Sequence, residues 1–578
     1  MAGDLPEFYF RIRENGAAVF RVDAENRQRR LELDQIALAN IRNGEIRPHG
    51  GHVLTDAETA AITDWMAARR RLLAARDIDD IHRAVDYLNL TTQWVQSKAT
   101  DEQLEDVTDA LEWAADQGMS AWLKEACEGV GIYYLQFYEH YERGDALFRS
   151  VSQRLNRVWP TPSMRQKTML AYILAWQAFF HARYTRQSDL DDMLQRCHEL
   201  LPAPDQDTPE TAFTRAFVYL AEADTPLDVR TREPYYHQSL ALFRQVGADW
   251  WSAIVLFELA INNWAIDAPT SERAFRECLA IAERLGDRSG LADCTLALAR
   301  LAAFRDGDID RATDLFTRSA ALNRQIGDHV SLSKALQADE ELALIQGRFP
   351  DLVELREQRL AMAEELGSTY GIGLCQMLLS EAYHTVGRYQ DALAMGERAA
   401  ATQEKRIEHH GRGRLSWIVG LALLAVERPD EALHRFESSL TNFRAISAES
   451  WFASSYLGLA RASLERGDIA AAGSYHCQAM DWLLRHPNPY WLAYCFGNEA
   501  LLRLHAGDAA GAVEIYGRAE AFPFVANSVW FRDVYGARVH EAARGLSDAA
   551  ADAARSRGAV LDLWETARAI AAACEAAD

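Results

Sequence analysis

Several common signals are missing from this sequence, and each absence removes a class of function. Eight cysteines occur, at Cys127, Cys197, Cys278, Cys294, Cys375, Cys477, Cys495 and Cys574, with no C-x-x-C pair among them. Zinc ribbons and dithiol redox motifs are therefore excluded. The cysteines sit within apolar helical pattern, as in Leu374-Cys375-Gln376-Met377, so buried free thiols in a reducing compartment are expected. No apolar run approaches the roughly 20 residues of a spanning helix, and stretches such as 418–426 reach about half of it. The start, Met1 to Glu7, shows no basic stretch leading into an apolar one, so no secretory leader is expected and the location reads as cytoplasmic. Lysine is nearly absent, at positions 98, 124, 167, 334 and 405 only. With abundant alanine, this reads as base composition rather than mechanism.

Positive charge is also in deficit. The net charge is −23, the wrong sign for a protein that coats nucleic acid. Residues 1–76 hold 12 Arg against 11 Asp and Glu, so the acidity belongs to the rest of the chain. Solubility of a long exposed surface explains it more simply than selection for basic partners.

What the sequence does have is an internal repeat. Gly307-Asp308, Gly347-Arg348, Gly387-Arg388, Gly467-Asp468 and Gly507-Asp508 recur on a 40-residue period, with Glu427-Arg428-Pro429-Asp430 filling the gap. Five residues after each turn start stands Ala312, Leu352, Ala392, Ala432, Ala472 or Ala512. A second series, Leu285-Gly286-Asp287, Ile326-Gly327-Asp328 and Leu366-Gly367-Ser368, degenerates to Ile407-Glu408, Ile446-Ser447 and His486-Pro487. Two turn series with one period mean two helices per unit. Glycine just past a helix end takes the left-handed cap. A small residue lets the second helix approach the first, and stacked pairs share a core that one pair cannot close alone.

This pattern resembles the tetratricopeptide repeat, W-x2-L-G-x2-Y followed by A-x3-F. Ala312 with Phe316, Ala432 with Phe436 and Ala512 with Tyr516 match the second half, and Val419-Gly420 with Leu423 and Leu459-Ala460 match the first. Residues 235–578 further resemble the sensor arms of bacterial signal-transduction ATPases, the MalT-like regulators of the LuxR type. Ser556 to Ala567 looks like the closing helix of those arms. No G-x-x-x-x-G-K-[ST] occurs, so the ATPase of those regulators is missing. The resemblance implies an all-α fold, a right-handed α-solenoid of helix pairs, with a small N-terminal β-hairpin module.

That module is read from alternation. Phe8 to Arg13 and Ala17 to Asp23 alternate about Asn15-Gly16, a type I′ turn. Ile36–Ile41 and Glu45–Arg47 flank Asn43-Gly44 as a second hairpin. The first helix opens at the capping box Thr55-x-x-Glu58, carries Trp65, and is followed by one over 78–97. Thr100-x-x-Gln103 is a further capping box, and divergent pairs are expected near 121–156 and 167–201. The expected divisions are a β-module at 1–50, connecting helices at 51–100, divergent repeats at 101–234, regular repeats at 235–545 and a capping helix at 546–578. Arg11, Arg13 and Arg21 form a candidate basic face, although solvated arginines paired with Glu14, Asp23, Glu25 and Glu32 are the plainer reading.

No catalytic constellation or metal site is evident, and no cofactor is expected. Glu408-His409-His410 reads as a surface turn, Glu381-x-x-His384 as polar groove lining, and His476-Cys477 as structural. The resemblance puts the first helix of each pair on the concave surface. That places Lys334, Gln337, Glu341, Met377, Glu381, His384, Arg414, Trp417 and Arg461 in a partner-binding groove. An aromatic residue beside arginines suits a binding hot spot. The expected function is a non-enzymatic scaffold or regulatory sensor that binds a protein or peptide in that groove. The alternatives are the sensing arm of a split signalling system taking a small effector, and a nucleic-acid-associated regulator acting through the N-terminal arginines.

Overall fold

A computed structural model describes residues 8–13, 16–21, 34–40, 44–74, 108, 111–112, 114–118, 120–136, 141–184, 189–224, 228–264, 267–326, 329–366, 369–403 and 409–577. The chain forms two compact units, residues 1–224 with 327–332, and residues 225–326 with 333–578.

In the first unit, β1 (Phe8–Arg13), β2 (Gly16–Arg21), β3 (Asp34–Asn40) and β4 (Glu45–Pro48) form one antiparallel sheet in that order. Gly16 already pairs with Arg13 in the ladder, so it belongs to β2 and not to the expected turn. Two hairpins alone are marginal, and the sheet is covered. Val19, Ile36, Ala37 and Ala39 pack on Ile62, Trp65 and Met66 of α1 (Asp56–Ala74). The Thr55 capping box is present: Thr55 Oγ1 accepts from Glu58 N at 3.2 Å, and Glu58 Oε2 accepts from Thr55 N at 2.8 Å. The expected helix over 78–97 and the capping box at 100–103 lie outside the described residues. Helices α2 (Ser120–Gln136), α3 (Tyr141–Val158), α4 (Met164–Tyr184), α5 (Asp189–Leu200) and α6 (Pro209–Ala223) follow. Their core is a cluster of rings, with Trp176 stacked on Phe148 and Phe180 and 4.4 Å from Phe217.

The second unit is the expected array of helix pairs. After α7 (Glu233–Gln245), the first helices of successive pairs are α8 (Asp249–Asn263), α10 (Arg288–Leu301), α12 (His329–Ile345), α14 (Thr369–Thr385), α16 (His409–Ala425), α18 (Phe452–Glu465) and α20 (Pro489–His505). The second helices are α9 (Ala268–Leu285), α11 (Ile309–Ile326), α13 (Phe349–Leu366), α15 (Tyr389–Gln403), α17 (Pro429–Ala445), α19 (Ile469–Arg485) and α21 (Ala509–Glu520). Gly307, Gly347, Gly387, Gly467 and Gly507 all take left-handed φ values between 66° and 82°, and Glu427 in the gap takes φ 58°. The six residues expected at the close approach, Ala312 to Ala512, are fully buried. A π-helical turn at Ala302–Asp306 inserts one residue, which shifts the phase of α10 against the later first helices.

The array closes on itself. An added Cβ at Gly307 would lie 3.3 Å from Pro489, and one at Gly387 would lie 2.8 Å from Val529. One at Gly347 would overlap the Pro523 carbonyl oxygen. The turns of three early repeats thus rest against the start of α20 and the short helical turns Pro523–Ala526 and Val529–Phe531.

Two expectations are corrected. The C-terminal capping helix is two helices, α23 (Asp548–Ala559) and α24 (Leu563–Ala577), after α22 (Ala537–Arg544). The break comes where Gly558 meets the Glu514 backbone and Asp562 Oδ1 accepts from Glu565 N at 2.7 Å to open the next helix. The cysteines are not all free thiols, because Cys477 and Cys574 form a disulfide from α19 to α24. The other six are free and buried. The inference of a reducing compartment loses that pair. Among the described residues, no helix is long and apolar enough to cross a membrane.

Candidate functional site

The first helices of the pairs face inward, and between them lies a cavity of about 500 Å³. Its wall divides by chemistry. Trp264, Phe304, Trp417, Trp451, Tyr490 and Trp491 supply rings. Trp417 and Trp491 meet edge to face at 4.9 Å, and Trp451 lies 5.8 Å from Trp491. Asn488 caps α20 by accepting from Tyr490 N at 3.0 Å and Trp491 N at 3.2 Å, which fixes that part of the wall. A second cavity of about 490 Å³ shares Trp264, Phe304, Ser450 and Asn488 with the first.

The charged part of the wall is a connected network. Arg359 Nη1 stands 3.1 Å from Glu340 Oε2, and Arg356 Nε 3.6 Å from the same oxygen. Arg356 Nη2 is 3.1 Å from Glu381, which Arg414 approaches at 3.5 Å. Arg356 Nη1 also donates to the Leu378 carbonyl. Arg300 Nε pairs with both oxygens of Glu341 at 2.8 and 2.9 Å. Glu340, Arg356 and Arg359 are 2%, 4% and 4% exposed. The Glu340 Oε1 and Arg356 Nε atoms have no hydrogen-bond partner among the described residues.

Burial lifts the Glu340 carboxyl above its ordinary value, against the pull of Arg359 and Arg356. At Glu381 burial acts the same way, but Arg356 and Arg414 outweigh it and the carboxyl is held low. Burial and the nearby Arg414 bring His410 down to about 4, so its imidazole is neutral near neutral pH.

The network occupies positions that the other repeats fill with small or aromatic residues, apart from His476. On the 40-residue period, Arg356 falls at the place of Phe316, Gly396, Phe436, His476 and Tyr516, and Arg359 at that of Ser319, Ala399, Ser439, Ala479 and Ala519. Glu340 falls at that of Ser380, Gly420, Ala460 and Ala500, and of Ala299 once the one-residue insertion is allowed for. This repeat puts charged side chains at all three positions, whereas the repeat of His476 has one ionisable group there, paired with Glu499 at 3.2 Å.

Six of the nine residues expected in the groove line this chamber: Gln337, Glu341, Met377, Glu381, Arg414 and Trp417. The other three stand elsewhere. Lys334 pairs with Asp293 at 2.7 Å. His384 is buried edge-on to Trp530, with ring centres 5.9 Å apart. Arg461 donates to the Val534 carbonyl at 2.7 Å and pairs with Glu465, holding the π-helical turn Arg532–Gly536. The 408–410 reading needs correction at His410, which lines the chamber against Trp451 because α16 starts at His409. Glu408 lies outside the described residues. His476 is buried, with Nδ1 3.6 Å from Cys495 Sγ and Nε2 3.2 Å from Glu499. This Cys-His-Glu row lines neither cavity. Arg11 and Arg13 lie on β1 and Arg21 on β2, and their side chains are outside what is described. Among the described residues, no group of three or more His, Cys, Asp or Glu is placed to hold a metal.

Sequence reasoning missed Glu340, Arg356 and Arg359 on the charged side and Trp451, Tyr490 and Trp491 on the aromatic side. The first three were visible as breaks in repeat phase. The aromatic three come together only through closure of the array.

No protein-family model and no curated protein matches this chain. Among solved structures it is similar to a Rap protein complexed with competence and sporulation factor, at 13% identity, covering 71% of this chain and 96% of that one with a TM-score of 0.35. It is also similar to a signal transduction ATPase with a tetratricopeptide repeat sensor from Pyrococcus horikoshii, at 12% identity, 73% and 72% coverage and a TM-score of 0.36. A third is the Cut9–Hcn1 hetero-tetramer of the APC/C, at 14% identity, 82% and 89% coverage and a TM-score of 0.39.

Proposed function

We propose that this chain is a non-catalytic regulatory protein whose second unit binds a compact ligand in the chamber of the repeat array. The observation that carries this reading is the replacement of core residues by Glu340, Arg356 and Arg359 in one repeat. A buried ion network contributes little net stability compared with packed apolar side chains. Its presence where the neighbouring repeats keep small and aromatic residues points to recognition. The cavity volume falls within the roughly 300–1,000 Å³ range of small-molecule sites. Among the described residues of its wall, the three carboxylates, Glu340, Glu341 and Glu381, are each held by arginine.

An extended polypeptide lying along the same inner face would have to displace the segments seated on Gly307, Gly347 and Gly387. A scaffold role remains open to the outer faces of the helices. The test is a thermal-shift screen of cellular metabolites on wild type and on Leu374→Trp, which fills the chamber. A subset of compounds that raises Tm in wild type only supports the reading. Equal responses in both proteins, or none in either, reject it.

A further inference from the structure

The chamber wall carries more arginine than carboxylate. Arg300, Arg356, Arg359 and Arg414 face Glu340, Glu341 and Glu381, a formal surplus of one positive charge. The surplus is localised. Glu341 is matched by Arg300, Glu340 by Arg359 and Glu381 by Arg356. Arg414 is left with a 3.5 Å contact to a carboxylate that Arg356 already holds. Its guanidinium lies 5.9 Å from the centre of the Trp451 ring. His410 beside Arg414 is neutral and does not compete for an anion.

The aromatic side sets the shape. Trp451, Trp491 and Tyr490 present rings inclined at 63° and 74° to one another in sequence around the wall. Such faces and edges take a flat ring in stacked or edge-to-face contact. A cation would also find rings here, but it would meet four arginines.

We infer that the chamber selects a compact, flat monoanion of the aromatic or heteroaromatic acid class, with Arg414 on the acid group and Trp451, Trp491 and Tyr490 around the ring. This rests on the chamber being a ligand site at all. A guanidinium–carboxylate pair in a desolvated site is charge-assisted and bidentate in its best geometry, so the acid is favoured over its neutral isostere.

The experiment is calorimetric titration of the full chain with 2-naphthoate, 2-naphthamide and 2-naphthylmethylammonium, which share a ring system and differ in charge. Naphthoate is expected to bind about tenfold or more tighter than the amide, with the ammonium weakest. In Arg414→Gln that preference disappears, while Arg428→Gln, an exposed change outside the chamber, keeps it. Circular dichroism and Tm confirm that both variants fold. If the amide or the ammonium binds as tightly as the acid, or Arg414→Gln keeps the full preference, the inference is overturned and the chamber stands. If none of the three binds, the inference is overturned, and the metabolite screen against Leu374→Trp decides the chamber reading separately.

Discussion

Trp530 Nε1 donates to the Leu421 carbonyl at 2.9 Å across 109 residues of sequence. The bond joins the segment after α21 to the middle of α16, and it is one of the ties that close the array. The Leu421 carbonyl keeps its helical partner, so this bond is a second, buried contact on an oxygen with two lone pairs, and its loss removes one net hydrogen bond. Trp530→Phe should cost about 1–2 kcal/mol, and Trp530→Ala about 3–5 kcal/mol by adding a cavity. Urea unfolding of the full chain measures both. Equal, near-zero changes would show that the contact does not hold the array closed.

Gly347 and Gly467 share a left-handed backbone, with φ 66° and 76°, but differ in surroundings. Nothing lies near an added Cβ at Gly467, whereas at Gly347 it would overlap Pro523. Gly467→Ala should therefore cost only the backbone strain, about 1–2 kcal/mol. Gly347→Ala should cost clearly more and raise hydrogen exchange over 523–531. Glu427, which has the same conformation without glycine's freedom, gives the converse. Glu427→Gly should stabilise by about 1 kcal/mol.

The Cys477–Cys574 disulfide closes a loop of sequence separation 97. Cross-links over long loops stabilise by roughly 2–4 kcal/mol. Non-reducing peptide mapping should find this pair joined and the other six thiols free. Cys574→Ser should lower Tm and increase exchange in 563–577 before any other segment. Uniform loosening of the whole unit would argue against a local tether.

His384 gives a pH dependence with a definite sign. Burial, with Arg356 nearby, brings its imidazole down to about 4 from an ordinary 6.5, although Glu381 pulls the other way. Between those values the unfolded chain binds the proton and the folded chain does not. Stability is therefore full above about 6.5 and falls as pH drops through the folded value near 4. The loss at this one site approaches roughly 3 kcal/mol. In His384→Gln the slope over that window should shrink accordingly.

The fold was legible because its signals are local. Gly307 and its successors announce helix ends by a conformation that glycine favours, and Ala312 and its successors announce close approach. The Thr55 and Glu58 box fixes a helix start in the same way. The site was legible only on the elements where helix phase decides direction, which is why Gln337, Met377, Glu381 and Arg414 share a wall. His384 and Arg461 follow the same phase, but the returning segment around Trp530 and Val534 covers them. That segment is placed by contacts more than 70 residues apart in sequence, as in Arg461 to Val534. No local pattern encodes such a contact. Arg356 and Arg359 could have been found by comparing each repeat with the others.

The central claim is that a compact ligand occupies the chamber. Native mass spectrometry of the full chain, purified from its source cells without added ligand, tests it most directly beside Leu374→Trp. The account predicts a bound species of small-molecule mass on wild type that the variant lacks. A bound polypeptide retained equally by both proteins, with no small adduct, would contradict it.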